Sequence, residues 1–249
     1  MNRLEHIEKI HMMACKRFLG VPVRSPNKMV YGDLGRYPLY VNSCTNTLRY
    51  WFKLLQMNPS RLPFNAYQML LQLDMNGKEC WVTKIRETLC ETGFNIVWLQ
   101  QGVGDVKAFL HVFKQRLVDM FIQEWSSSIS DRERYESYRS FKSIFEKEKY
   151  IQSMNAYCFR VAITQIRFNV LPLNNNIYRY SENVQEKACP FCKPKIENEA
   201  HFLIECFMYK DLREKFLSNC VKTPLPDLLG TTDYECLHNV SRYIFHSIN

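Results

Sequence analysis

Apolar residues recur at intervals of three and four along most of this chain, and stretches that alternate apolar with polar are few, so the pattern predicts helices nearly throughout. Leu4, Ile7, Ile10, Ala14 and Phe18 mark one face of an opening helix that stops at Gly20, and Pro22 and Pro26 punctuate the loop after it. Residues 30–38 read as a short helical turn and a break. Pro38 suits the first turn of a longer helix to about Met57, with Leu48, Trp51, Phe52 and Leu55 inward. A helical hairpin, Phe64 to Asp74 and Cys80 to Cys90, is joined at Asn76-Gly77, and a loop with Gly93, Gly102 and Gly104 follows. The clearest stripe is Phe109, Val112, Phe113, Leu117, Met120, Phe121 and Trp125, which reads as a core face. Ser126-Ser127-Ser128 reads as its break. Ser130 with Glu133 reads as a capping box for a charged helix carrying Tyr135, Tyr138, Phe141, Ile144 and Phe145 on one side.

A helix from about Met154 to Asn169 interleaves Arg160 and Arg167 with Tyr157, Phe159 and Phe168. That mixture reads as a core face with snorkelling arginines, the alternative being a platform for single-stranded nucleic acid. Asn174-Asn175-Asn176 reads as a turn and a boundary. A helix from about Tyr209 to Leu217, a break at Pro224 and Pro226, and a last helix from about Tyr234 to Ile248 complete the chain.

With 249 residues, 46% hydrophobic and 14% aromatic, the chain can bury a full core. It lacks an apolar run of the roughly 18 residues a membrane span needs, so a membrane partner is not expected. Of the ten cysteines, the seven outside the Cys189, Cys192 and Cys206 group are scattered without framework spacing and point to a reducing intracellular compartment, nucleus or cytoplasm. The net charge of +8 is uneven: residues 1–60 carry nine Lys/Arg against three Asp/Glu, while residues 61–130 balance at seven of each. Lys16, Arg17, Arg24, Lys28, Arg36, Arg49 and Lys53 are therefore candidate phosphate contacts, and a solvated basic face is the plainer alternative.

The most specific chemistry lies near the end. Cys189-Pro190-Phe191-Cys192, with His201 nine residues on and Cys206 five after that, supplies three thiolates and an imidazole, which close all four positions of one structural zinc ion. A catalytic zinc keeps one position open for water, and this set leaves none. Buried free thiols are the alternative. Five residues turn about 140° on an α-helix, so His201 is expected to start a short helix whose end delivers Cys206. Lys193 and Lys195 form a second basic patch in the metal loop.

Signatures of catalysis are missing: no P-loop, no Gly-x-Ser-x-Gly, no His-Glu-x-x-His. Nor does a Glu stand two residues after His201, as a nucleoside deaminase would require. His6, His11, His111, His238 and His246 have no carboxylate or Ser/Cys partner evident by spacing. Neither an enzyme nor a small-molecule substrate is expected.

Two segments carry a family resemblance. The zinc motif with Glu199, and Ala14 to Val21 followed by Asn27 and Val30 to Leu39, resemble the C-terminal region of non-LTR (LINE-like) retrotransposon reverse transcriptases, beyond the polymerase core. The resemblance implies a CCHC reverse-transcriptase zinc-binding module, contact with element RNA or target DNA, and polymerase carboxylates upstream of Met1, so a fragment of such a protein is expected. The rest of that reverse transcriptase is then a further candidate partner.

The fold expected is all-α, an irregular multi-helix array followed by a small CCHC zinc module packed on C-terminal helices. The segments expected are 1–60 (basic, helical, post-thumb-like), 61–175 (helical linker), 176–220 (zinc module) and 221–249 (C-terminal helix). The function expected is noncatalytic, zinc-dependent binding of RNA or DNA, single-stranded RNA favoured. A zinc-stabilised protein-interaction module and an inert retroelement remnant are the alternatives.

Overall fold

A computed structural model describes residues 2–154, 156–218 and 223–248, with side chains from residue 5 onward; Leu4, Cys220 and the 220/221 boundary lie outside the described side chains and residues. The architecture is all-α: α1 (Asn2–Leu19), α2 (Asn27–Leu34), α3 (Leu39–Leu55), α4 (Leu62–Met75), α5 (Trp81–Glu91), α6 (Asn95–Leu99), α7 (Val106–Asp131), α8 (Glu136–Arg139), α9 (Lys149–Ser153), α10 (Tyr157–Arg167), α11 (Asn174–Ile177), α12 (Lys210–Leu217), α13 (Leu225–Gly230) and α14 (Tyr234–Ile248). Among the described residues the only β pairing is two isolated antiparallel bridges, Leu34–Lys147 and Ala188–Ile196.

The chain divides into two compact units, Tyr37–Glu124 and a second made of Met1–Arg36 with Trp125–Asn249. The segment limits read from sequence at 60 and 175 coincide with neither edge, because the first 36 residues pack with the last half of the chain.

In the unit Tyr37–Glu124, α3 buries Leu48, Trp51 and Phe52 against Val82, Ile85 and Leu89 of α5 and Phe109, Phe113 and Leu117 of α7. Trp51 Nε1 donates to the Tyr67 hydroxyl at 3.1 Å, and that hydroxyl donates to Gln101 Oε1 at 2.5 Å, so the buried polar ends are satisfied. Gly77, at φ +73, closes the α4–α5 hairpin, and the Arg86 guanidinium holds Asp74 from across it with two 3.0 Å bonds.

In the other unit, α1 departs from the expected orientation. Ile7, Ile10 and Phe18 are exposed and so is Ala14, while Met12, Cys15 and Leu19 are buried. The inward side is the one that meets α2 and α10. Gly20 ends the helix at φ +68, and a Cβ there would stand 2.3 Å from Val161 Cγ2 of α10, so only glycine fits.

The serines do not break α7. The helix runs through Ser126–Ser128 to Asp131 because Ile129 is buried beyond them and the Ser127 hydroxyl bonds Asp131 Oδ2 one turn on, at 3.0 Å. Ser130 consequently lies inside α7 and caps nothing; the charged helix expected after it is a 3₁₀ turn and the single turn α8, with Ile144 exposed. Val112 is also exposed, and Leu110, Val118 and Ile129 complete the buried face of α7 in its place.

A buried ionic centre, invisible to hydrophobic periodicity, organises this unit. Asp33 and Arg167 are 0% and 1% exposed. Arg167 Nε and Nη2 each donate to Asp33 at 3.1 Å, Nη2 stands 3.2 Å from Glu148, and Nη1 donates to the Leu229 carbonyl. Tyr138 and Tyr150 hydroxyls donate to the two Asp33 oxygens at 2.7 Å each, and Lys142 pairs with Glu148. Arg167 therefore does not snorkel to water; it joins α2, α8, α9, α10 and α13 through groups whose charges cancel.

Candidate metal centre

The metal-ligand set is assembled from two short devices. The first is a tight ribbon: Cys189 N–H donates to the Lys195 carbonyl at 2.8 Å, Lys193 N–H donates to the Cys189 carbonyl at 2.9 Å, and Lys193 takes a left-handed φ of +64. The Ala188–Ile196 bridge closes it. The second is a single π-helical turn, His201–Glu205, whose closing bond runs from Cys206 N–H to the His201 carbonyl at 2.8 Å. An i to i+5 bond is what a five-residue ligand spacing needs, since the wider turn brings both residues to the same side. The short helix expected at His201 is thus of the π type, and Asn198 caps it by accepting the His201 N–H at 2.8 Å.

Cys189, Cys192, His201 and Cys206 come together with all four candidate ligand atoms within 4.8 Å of one another, and they could hold a metal ion. Cys189 and Cys206 sulfurs are 3.8 Å apart, far beyond a disulfide bond, and Cys192 Sγ is 3.2 Å from His201 Nε2. Cys189, His201 and Cys206 are at most 2% exposed. Burial pushes the Cys206 thiol up to about 11; the Met208 amide opposes this and the neighbouring thiols add to it. A cation among the sulfurs would reverse that balance, because thiolate is the ligating form.

The surroundings fit such an ion. With Nε2 aimed at Cys192, His201 Nδ1 is buried without a hydrogen-bond partner, and Glu205 Oε2 stands 3.6 Å from it. A carboxylate beside the free nitrogen of a ligating imidazole fixes its tautomer and orientation. Lys195 holds Glu205 at 2.9 Å and draws its carboxyl below the usual range. The Arg213 guanidinium, almost wholly buried, donates to the Cys206 carbonyl.

Sequence reasoning named Glu199 as part of the motif but missed Glu197 and the part both play in pinning this module. Glu197 and Glu199 are buried carboxylates: the first accepts the Asn174 N–H at 2.7 Å, the second the Asn176 side-chain amide at 2.8 Å, and Asn174 Nδ2 reaches the Ala188 carbonyl at 2.7 Å. The asparagine run is thus fastened to the metal ribbon. Phe202 packs at 5.4 Å on Tyr243 of α14, whose hydroxyl donates to the Phe202 carbonyl at 2.6 Å. Two acidic residues before a histidine, matched by two of three asparagines upstream, were the available signal.

The basic candidates divide. Lys16 is a correction: it is 7% exposed and its ammonium donates to the Val23 carbonyl at 2.6 Å, clamping the loop after α1 instead of facing phosphate. Arg17, Arg24 and Arg36 are exposed in one unit, and Lys28 is half-buried there. Arg49 and Lys53 are exposed in the other, Arg49 bonding Asn46. Lys193 is exposed, and Lys195 is committed to Glu205.

His11 is a second correction. Its Nδ1 stands 3.2 Å from Glu8 Oε1 and its Nε2 3.5 Å from Cys15 Sγ, partners at three and four residues along one helix face. Burial pushes the Cys15 thiol up, Arg36 opposing, so at neutral pH the sulfur stays protonated and is a poor nucleophile. No described helix is long and apolar enough to cross a membrane. Compared with known proteins, the chain matches no family model, no curated protein and no solved structure.

Proposed function

We propose that Cys189, Cys192, His201 and Cys206 hold one structural zinc ion, and that the chain is a noncatalytic, zinc-stapled nucleic-acid-binding segment of the kind found beyond the polymerase in LINE-like reverse transcriptases. The observation that carries the metal reading is the four-atom cluster. Tetrahedral zinc with bonds of about 2.3 Å sets its sulfurs about 3.8 Å apart, and Cys189 and Cys206 stand at 3.8 Å. Three thiolates, one imidazole and near-complete burial suit a closed site with no place for a reacting water. Such sites supply an apparent free energy of about 10–16 kcal/mol in peptides, enough to order a ribbon and one π turn that have little core of their own.

Binding of RNA or DNA, single-stranded RNA foremost, is supported by the exposed Arg17, Arg24 and Arg36, the basic weight of the first 60 residues, and Lys193 beside the metal ribbon. Zinc per chain by metal analysis, together with affinity for single-stranded RNA across a salt series, tests the reading. One zinc per chain and a steep fall of affinity with salt are expected. No zinc, or no binding at low salt, overturns the corresponding half.

A protein-interaction module is the second reading, favoured by apolar side chains left in water: Ile7, Ile10 and Met13 on α1, and Leu62, Met69 and Met75 on α4. Capture of a protein partner that survives nuclease treatment distinguishes it.

A further inference from the structure

We infer that an open cleft of about 460 Å³ beside α1 is where one nucleotide of a single strand docks, its base against Phe18 and its phosphate on Arg36 and Lys147. The inference rests on the nucleic-acid reading above and deepens it by naming the site.

The floor of the cleft is apolar, made by Ala14, Leu34 and Ile151, and Phe18 stands in its wall at 44% exposure. Such a large aromatic left in water needs a partner or a cause. One side of it is already organised: the Arg160 guanidinium lies 4.2 Å over the Phe18 ring and 5.4 Å over that of Tyr157, itself 54% exposed. Arg160 Nε is buried without a hydrogen-bond partner. The Tyr157 hydroxyl donates to the Arg17 carbonyl at 3.2 Å, which ties this stack to the end of α1. Alternating aromatic rings and guanidinium is the arrangement on which unpaired bases stack, because every base offers a planar face.

Charge completes the match. Arg36 and Lys147 are both exposed on the cleft, and among the described residues neither side chain makes an ion pair or hydrogen bond. Two carboxylates of this region are engaged elsewhere, Glu8 by the Tyr31 hydroxyl and His11 and Glu148 by Lys142 and Arg167, while the Glu146 side chain, next to Lys147, is exposed. Both cations also sit on fixed backbone. Arg36 follows the left-handed Gly35 that ends α2, its N–H bonding the Tyr31 carbonyl at 3.2 Å, and Lys147 is bridged to Leu34 just above the buried Asp33–Arg167 pair. Two cations set at fixed places across an apolar slot from an aromatic wall recognise a planar base that carries a phosphate.

The test uses the full-length chain and fluorescence anisotropy with a labelled oligouridylate, an abasic strand of the same length, and uridine monophosphate as competitor. Arg36→Gln with Lys147→Gln is expected to weaken oligouridylate binding about tenfold or more and to lower the slope of log affinity against log salt by about 1. Phe18→Ala is expected to weaken oligouridylate binding about fivefold or more while leaving the abasic strand unchanged. All three side chains are exposed, and an unchanged far-UV spectrum confirms that the variants fold. If the wild type binds oligouridylate and these variants bind equally well, the cleft assignment is overturned and the broader reading stands. If the wild type binds no strand, both fall. If the monophosphate competes as tightly as the oligomer, the ligand is a free nucleotide and the strand assignment is overturned.

Discussion

Removing the guanidinium of Arg167 is the sharpest perturbation this fold offers. Arg167 supplies two of the four hydrogen bonds that Asp33 receives, the other two coming from Tyr138 and Tyr150, and among the described residues it is the only cation bonded to that carboxylate. Arg167→Met keeps most of the volume and leaves a carboxylate at 0% exposure with two neutral donors. Glu148 keeps Lys142, so the uncompensated charge is that of Asp33 alone. Breaking a buried pair from one side costs about 3–5 kcal/mol, since the remaining charge is held away from water. In a chain of this size each kcal/mol lowers Tm by about 2–4 °C, so a fall of roughly 6–20 °C is expected. The Asp33→Asn, Arg167→Met double variant removes both charges and should be more stable than the two single effects added, by about 0.5–3 kcal/mol. Thermal and urea unfolding followed by far-UV circular dichroism of the four proteins gives these numbers. A loss below about 1 kcal/mol for Arg167→Met, or strict additivity in the double variant, would refute the reasoning that this ion pair organises the unit.

Cys206→Ser should abolish stoichiometric metal and raise hydrogen exchange in α12 and α14, because Phe202 and Tyr209 of the metal module share an aromatic contact with Tyr243; retained metal or unchanged exchange in α14 would contradict this. Gly35→Ala places a Cβ 2.4 Å from the Lys147 backbone nitrogen at φ +57 and should cost well over the roughly 1–2 kcal/mol of the left-handed conformation alone, whereas Gly77→Ala, at φ +73 in open space, should cost only about that much; equal urea midpoints would sink the distinction. Stability should fall as pH rises from 10 toward 12: burial holds the Tyr243 hydroxyl up to about 12 and those of Tyr138 and Tyr150 well above their usual value. The unfolded chain releases these protons first, near pH 10, so the stability contributed by the neutral phenols is full below that pH and is lost as pH passes through the folded values. Tyr243→Phe should flatten the urea midpoint against pH between 10 and 12, and an unchanged slope would remove Tyr243 from the account.

The local sequence determined a good deal of this protein. The metal-ligand set was legible because Cys189, Cys192, His201 and Cys206 lie within 18 residues, where spacing alone restricts geometry, and the closeness of the four ligand atoms follows from two short hydrogen-bonded turns. The last helix, Tyr234–Ile248, and the hairpin joined at Gly77 followed from apolar period and turn residues for the same reason. Tertiary structure alone decided the rest. The apolar stripe of α1 faces water because the side bearing Met12, Cys15 and Leu19 meets α2 and α10, a choice made by the partner helices and absent from the period itself. The serines stayed helical because Ile129 beyond them is buried. Asp33 and Arg167 are 134 residues apart, and their pairing depends on how five segments converge, which spacing along a chain does not encode. Short-range hydrogen bonds and ligand spacing act within a few residues, whereas burial and charge pairing are settled only when distant segments have displaced water from one another.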